Sequence, residues 1–324
     1  MKRVLGISFG REMKNSEILV KTALMECQEA GYEIEFLRAC DLDIKNCTGC
    51  MGCVVGMTRG LHGGDCVLKD DFHILMDAIL RADAVIIGSP VYETSPTGLY
   101  KTVCDRIGPS HDISFCKAAI EEGLAAGKDP AKLPDQRLLD HRIGALIAAG
   151  GAMTENWLSM SIPIMYEFTF PLGIDVIDTY ECCGLMAEGH VVGSQNALAR
   201  AAKIGRNIAD ALSCTTIEDR VRWRGELQGA CPVCHCNLIR VTEDGDPNKI
   251  ECPVCGIRGK LSLEDGVIKT YYSAEEILRS RLHYGGKLEH STEIKTQSAP
   301  PTKIPDLQDR LKKYRGIGEK EGGT

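Results

Sequence analysis

Five short apolar runs, separated by segments with helical spacing, constrain this chain more than any other feature. Residues 2–9, 33–38, 82–88, 141–149 and 174–180 read as strands, and three of them are almost continuously apolar. Residues 17–30, 70–81, 98–107, 156–167 and 195–212 repeat apolar residues at three- and four-residue intervals, with Gly31 as a stop after the first. Strands buried on both faces and joined through helices make a parallel sheet with helices on either side. The expectation is an α/β, doubly wound, five-stranded parallel sheet over residues 1–215. Ligands of such sheets sit at the carboxyl ends of strands, where the loops at 8–16, 40–66 and 89–92 converge.

Residues 108–140 are a long insertion with a helix expected at 115–126, the size of a lid or an assembly element. The 324 residues are 44% hydrophobic and 26% charged, enough for a sizeable core and about two domains. Net charge is −7, so bulk electrostatics give no case for nucleic acid or an anionic membrane. The chain opens directly on a strand pattern, and no run of about 18 apolar residues occurs. A cytoplasmic protein without a signal peptide or membrane span is expected.

Sixteen cysteines in a reducing compartment point to metal or redox chemistry rather than disulfides. Cys47, Cys50 and Cys53 are two residues apart, and Cys66 is the natural fourth. Thiolates at that spacing wrap a 4Fe-4S cluster, because each sulfur reaches a separate iron. Zinc is the rival, although zinc sites more often draw ligands from two separate knuckles. Cys40 and His62 are the substitutes for Cys66. The remaining cysteines outside the clusters read as small buried apolar groups. At the first loop, helix amino-terminal N–H groups with Arg11, Asn15 and Ser16 suit a phosphate, while Asn15 or Ser16 acting only as a helix cap is the plain alternative.

Residues 216–290 read as a small β module. Cys231, Cys234, Cys252 and Cys255 form paired knuckles of the zinc-ribbon or rubredoxin-like kind, with zinc favoured over iron, and His235 and Cys236 as bystanders. A turn is expected at 243–247. Ser273 and Glu276 form a capping box for a helix running to Tyr284 and ended by Gly285 and Gly286. Residues 291–324 read as an extended linker and a short helix carrying Ile304, Leu307, Leu311 and Tyr314 on one stripe.

The first loop, the Cys47 to Cys53 stretch, Asp70 and Asp71, the Ser89-to-Tyr92 turn, and Lys101 through Asp105 and Arg106 together resemble the iron-sulfur flavoprotein branch of the NADPH-dependent FMN reductases. The resemblance covers residues 1–212 and implies a flavodoxin-like fold. It also implies FMN, with the phosphate at Ser8, Arg11, Asn15 and Ser16 and the ring against Pro90, Val91, Tyr92, Gly150 and Gly151. A cluster from one subunit approaching the flavin of a neighbour is implied too, hence a homodimer or homotetramer. Two departures stand out: Phe9 and Gly10 where the family has Ser-Pro, followed by Glu17 at the helix start, and a longer gap from Cys53 to Cys66.

A flavin beside a cluster converts paired to single electrons. The expected function is an oxidoreductase passing electrons from NAD(P)H or a low-potential, ferredoxin-like carrier to a small organic acceptor. Tyr92 and His111 are the candidate proton donors. Electron transfer between protein partners, without a small-molecule substrate, is the alternative. A redox-sensing binding protein is the third reading.

Overall fold

The structure is a computed structural model and describes residues 1–186, 190–242, 249–297, 304–315 and 317. Strand β1 (Arg3–Ser8), helix α1 (Asn15–Glu29) and strand β2 (Glu33–Arg38) open the chain, followed by α2 (Gly52–Arg59) and α3 (Phe72–Arg81). Next come β3 (Ala84–Tyr92), the two-residue β4 (Ser95–Pro96), α4 (Gly98–Ile107) and α5 (Ile113–Ala125). Strand β5 (Arg142–Ala149), α6 (Ser161–Thr169), β6 (Ile174–Cys182) and α7 (Gln195–Ser213) complete the larger sheet and its cover.

The five long strands are parallel in the order β2-β1-β3-β5-β6, a flavodoxin-like doubly wound sheet. Alternation of side chains explains the two layers. Leu5, Ile7 and Leu146 enter the core shared with α3, α4 and α6, while Val4, Ile86 and Ile147 pack with α1 and α7. All eight residues of β5 are buried, as a central parallel strand requires. A Cβ on Gly88 would come within 2.5 Å of Val20 Cγ2 and 3.1 Å of Ser16 O, so bare backbone there lets the first turn of α1 rest on β3.

Several elements differ from the sequence expectation. Strand β3 continues past Gly88 to Tyr92 because it folds back as a hairpin with β4. The hairpin turn holds Glu93 and Thr94 at φ 48° and 68°, costing roughly 1–3 kcal/mol each for non-glycine residues. Helix α6 begins at Ser161 rather than 156; extending it backward would drive the Pro163 ring into the carbonyl of Ser159. Helix α5 starts earlier than expected because Asp112 caps it, accepting from Ser114 N at 2.9 Å. The return of the insertion is pinned by Arg142, whose buried guanidinium donates to the carbonyls of Ile79, Leu80, Arg137 and Asp140. A cation is thereby placed at the carboxyl end of α3, where the helix dipole favours it.

After α8 (Ile217–Val221), strands β7 (Arg240–Val241), β8 (Lys249–Glu251), β9 (Arg258–Glu264) and β10 (Val267–Tyr272) form an antiparallel sheet. Helix α9 (Ala274–Leu278) is capped by Ser273 Oγ, which accepts from Glu276 N at 3.2 Å. It stops six residues before Tyr284. Gly285 and Gly286 lie at the start of α10 (Tyr284–Gln297) instead of ending a helix. A Cβ on Gly286 would lie 2.3 Å from the carbonyls of Arg279 and Ser280, so the glycine lets two chain segments touch. Residues 291–297 continue α10 where an extended linker was expected, and α11 (Leu307–Lys312) follows. The turn at 243–247 and most of the proline-containing stretch at 298–305 lie outside the described residues. The chain divides into a compact unit, Met1–Leu288, holding both sheets, and a second unit, Glu289–Thr324. No described helix is long and apolar enough to cross a membrane.

Candidate functional site

The parallel register sets Ser8 beside Gly88 and Pro90 beside Ala149, so the loops after β1, β3 and β5 leave the sheet along one edge. In the first loop Ser8 is fully buried and its Oγ accepts from Gly10 N at 3.2 Å. A Cβ on Gly10 would fall 2.1 Å from Ser16 Oγ, so the backbone passes directly over that hydroxyl. Lys14, at the N-cap of α1, gives no side-chain hydrogen bond, which leaves the first-turn N–H groups without a cap from the N-cap side chain. Arg11 is exposed beside them. Asn15 Oδ1 is engaged elsewhere, accepting from Val191 N at 3.0 Å.

Both departures of this loop have structural reasons. Phe9 is a core residue, with its ring 4.7 Å from Tyr100 and 6.3 Å from Phe168. Glu17 is fully buried, 2.6 Å from Lys21 Nζ and 2.8 Å from Arg38 Nε. Burial pushes its carboxyl up, but hydrogen bonds from Arg38 and Lys21 outweigh that and hold it below the ordinary range. Its negative charge is therefore compensated at the start of α1.

On the β3 side, Ser89 Oγ accepts from Thr97 N at 3.3 Å, Pro90 and Val91 are half-buried, and Tyr92 is 56% exposed on the hairpin. Gly150 donates to Cys182 O at 2.8 Å, and the carbonyls of Gly150 and Gly151 accept from Leu185 and Met186. Between Ser89 and Tyr92 the wall offers Pro90 and Val91 as apolar surface. It is suited to a flat ring held by backbone and apolar surface.

The cysteine loop turns backbone N–H groups onto sulfur. Gly49 N donates to Cys47 Sγ at 3.4 Å. Hydrogen bonds from Gly52 N–H and the Thr48 hydroxyl hold the Cys50 thiol below its ordinary range. Gly49 and Met51 take the left-handed backbone, φ 66° and 59°, that this path needs. Cys47 and Cys50 are exposed, Cys53 and Cys66 half-buried. The four are not gathered at single-ion spacing, whereas a cluster of four irons spreads its sulfurs wider than one ion does. Cys40 lies 3.5 Å from Phe9 O, beside the first loop, and His62 packs on Gly56 of α2 and accepts from Gly64 N. Helix α2 itself was missed by the sequence reading; Gly60, at φ 64°, is its readable stop.

What anchors this loop is a pair of residues that carry the family resemblance in the sequence but had no role assigned there. Arg106 Nη1 contacts Asp70 Oδ2 at 2.5 Å and Nη2 contacts Oδ1 at 3.1 Å, with both side chains 1% exposed. Asp70 also accepts from Lys45 N, and Arg106 donates to Lys45 O, so the backbone just before Cys47 is held from both sides. The Arg106 hydrogen bond brings the Asp70 carboxyl down to about 2. A cavity of about 880 Å³ opens beside this pair, with Cys66, Phe72, Arg106, His111 and Leu133 in its wall. The ring of His111 meets Phe72 edge-on at 5.8 Å, Nδ1 lies 3.0 Å from Ile107 O, and burial lowers its pKa. His111 thus groups with the cysteine loop, while Tyr92 stands on the hairpin; neither the hairpin nor Gly150 lines that cavity.

The second cysteine set is a closed cage. Cys231, Cys234, Cys252 and Cys255 are all buried, with their sulfurs within 4.8 Å of one another. The Cys231–Cys255 and Cys234–Cys252 sulfur separations are 3.3 and 3.4 Å, close to the ~3.8 Å edge of a tetrahedron with metal–sulfur bonds of 2.3 Å. The two knuckles repeat one hydrogen-bond pattern. Cys231 accepts from His235 N and donates to Cys236 O; Cys252 accepts from Gly256 N and donates to Ile257 O. His235 therefore takes the left-handed position, φ 56°, that Gly256 fills in the other knuckle at φ 75°. It is held there by stacking on Trp223, ring centroids 4.0 Å apart. Tyr166 Oη of α6 donates to Cys234 O at 2.9 Å, tying the cage to the cover of the larger sheet.

This fold and these sites define a flavodoxin-like flavoprotein carrying a four-cysteine module. Residues 3–156 match the family model of the NADPH-dependent FMN reductases. Across 320 residues the chain is 28% identical to flavone synthase cfoJ of Aspergillus candidus, covering 96% of this chain and 95% of that protein. It is 32% identical over 104 residues to an iron-sulfur flavoprotein of Archaeoglobus fulgidus, 32% of this chain and 48% of the relative, so it spans about half of that relative's length. A solved structure of a flavone reductase superposes with a TM-score of 0.81 at 25% identity, covering 99% of this chain and 100% of the other. The protein is an FMN-dependent oxidoreductase.

Proposed function

We propose that this protein reduces a small, flat organic acceptor of the flavone kind, drawing electrons from NAD(P)H or a low-potential, ferredoxin-like carrier. The observation that carries the reading is the structural match to a flavone reductase over 99% of this chain. FMN, when bound, supplies hydride transfer, and a 4Fe-4S cluster at Cys47, Cys50, Cys53 and Cys66 supplies single electrons. Ser8, Arg11, Ser16 and the first-turn N–H groups of α1 bind the phosphate, and Asn15 braces that turn through Val191. Pro90, Val91, Gly150 and Gly151 flank the ring, and the Tyr92 hydroxyl holds the proton for the acceptor. His111, neutral and turned to the Cys66 cavity, serves the cysteine loop rather than the acceptor.

Cys231, Cys234, Cys252 and Cys255 hold zinc as a closed structural site, with a rubredoxin-like iron as the alternative occupant. Exposure of Cys47 and Cys50 suits a cluster that faces a neighbouring subunit, in a homodimer or homotetramer. The same exposure favours, as a second reading, electron transfer to a protein partner. Anaerobic assays with flavone and NADH, NADPH or reduced methyl viologen separate them. Steady loss of flavone absorbance, one acceptor per two electrons, supports the first reading; oxidation of no donor in the presence of flavone overturns it.

A further inference from the structure

We propose that Arg106 is a positioning residue for the fourth cluster ligand: its Nε–H holds the Cys66 sulfur, and its charge raises the reduction potential of the cluster. The inference rests on the reading that Cys47, Cys50, Cys53 and Cys66 bind that cluster. Arg106 is buried, and its two Nη groups are committed to Asp70 and Lys45 O. Its Cζ sits over the Phe72 ring, 4.6 Å from the centroid, a further restraint on where the guanidinium lies. The third group, Nε, is buried without a hydrogen-bond partner. A buried N–H with no acceptor is rare in a native protein and calls for an unmet ligand.

Cys66 is the group that can supply the acceptor. It interacts with the guanidinium and shares the cavity wall with it. A cysteine sulfur that ligates a cluster accepts hydrogen bonds, and such bonds help set the cluster's potential. Charge makes the same case. Reducing the cluster by one electron, delivered from NAD(P)H or a low-potential carrier, adds a negative charge spread partly onto its sulfurs, and a fixed cation beside one of them favours that form. Cys40 is engaged with Phe9 O and His62 with Gly64 N, whereas Cys66 faces a buried N–H with no other acceptor, which favours Cys66 despite its longer gap from Cys53.

The test compares Asp70→Asn with the double variant Asp70→Asn/Arg106→Gln. Both break the same ion pair, and only the second removes the guanidinium. Iron content and the midpoint potential of the cluster, followed by electron paramagnetic resonance, are read on the anaerobic full-length chain. The double variant is expected to have a more negative potential than Asp70→Asn, or to lose iron that Asp70→Asn keeps. Equal iron and equal potential in the two variants overturns the proposal. Wild-type protein without iron instead defeats the cluster reading itself, so the two failures are distinct.

Discussion

The two sets of four cysteines in this chain are built in opposite ways. Cys231, Cys234, Cys252 and Cys255 are buried and drawn within 4.8 Å by two short turns with the same hydrogen bonds, so local sequence assembles the whole cage. Cys47 and Cys50 are exposed on a wider loop, Cys53 at the start of α2 and Cys66 beyond it are half-buried, and the Asp70–Arg106 pair fixes the backbone just before Cys47 from a distance. A site that gathers its own ligands is suited to one ion and a structural task. A site that keeps its sulfurs apart and near the surface is suited to a larger inorganic group that must exchange electrons.

The strongest way to break this contrast is Cys252→Ser. Loss of one ligand should release the cage metal and destabilise the module by on the order of 5 kcal/mol, seen as an early thermal transition and metal loss. An unchanged melting curve with full metal content contradicts a structural cage. Cys50→Ser should do the reverse, removing about four irons per chain while the cage metal and the melting temperature stay close to wild type. Simultaneous loss of both metals shows that the sites are not independent.

A smaller effect concerns the anchor. The Asp70 carboxyl sits at about 2 against an ordinary 3.8, so its stabilisation is complete above pH ~4 and is lost as pH falls through about 2. Asp70→Asn should cost about 2 kcal/mol at neutral pH and flatten the acid side of the stability profile between those values, measured by denaturant unfolding. A variant with the wild-type acid slope excludes Asp70 as its source. Smallest of all, Tyr166→Phe should lose about 1 kcal/mol with the iron and cage-metal contents unchanged; metal loss here means that α6 holds the cage together.

Much of the parallel sheet was legible because doubly buried strands such as β5 leave an apolar run that helices do not imitate. The cage was legible for the same local reason, two Cys-x-x-Cys pairs. What escaped depended on contacts between distant residues. Nothing near Asp70 announces Arg106, 36 positions away, and nothing near Glu93 and Thr94 announces that tertiary packing carries β3 into a left-handed hairpin. His111 and Tyr92 read alike as proton donors in sequence; only the fold puts one beside the cysteine loop and the other on the hairpin. Gly285 and Gly286 read as a stop, but the close approach of Gly286 to Arg279 and Ser280 makes them a crossing point.

The most direct test of the account is the flavin, iron, sulfide and zinc content of the wild-type chain purified without oxygen, with its visible spectrum before and after reduction. The account predicts one FMN, about four irons with matching sulfide, and one further metal retained by the cage. Protein that binds FMN and the cage metal but no iron contradicts it.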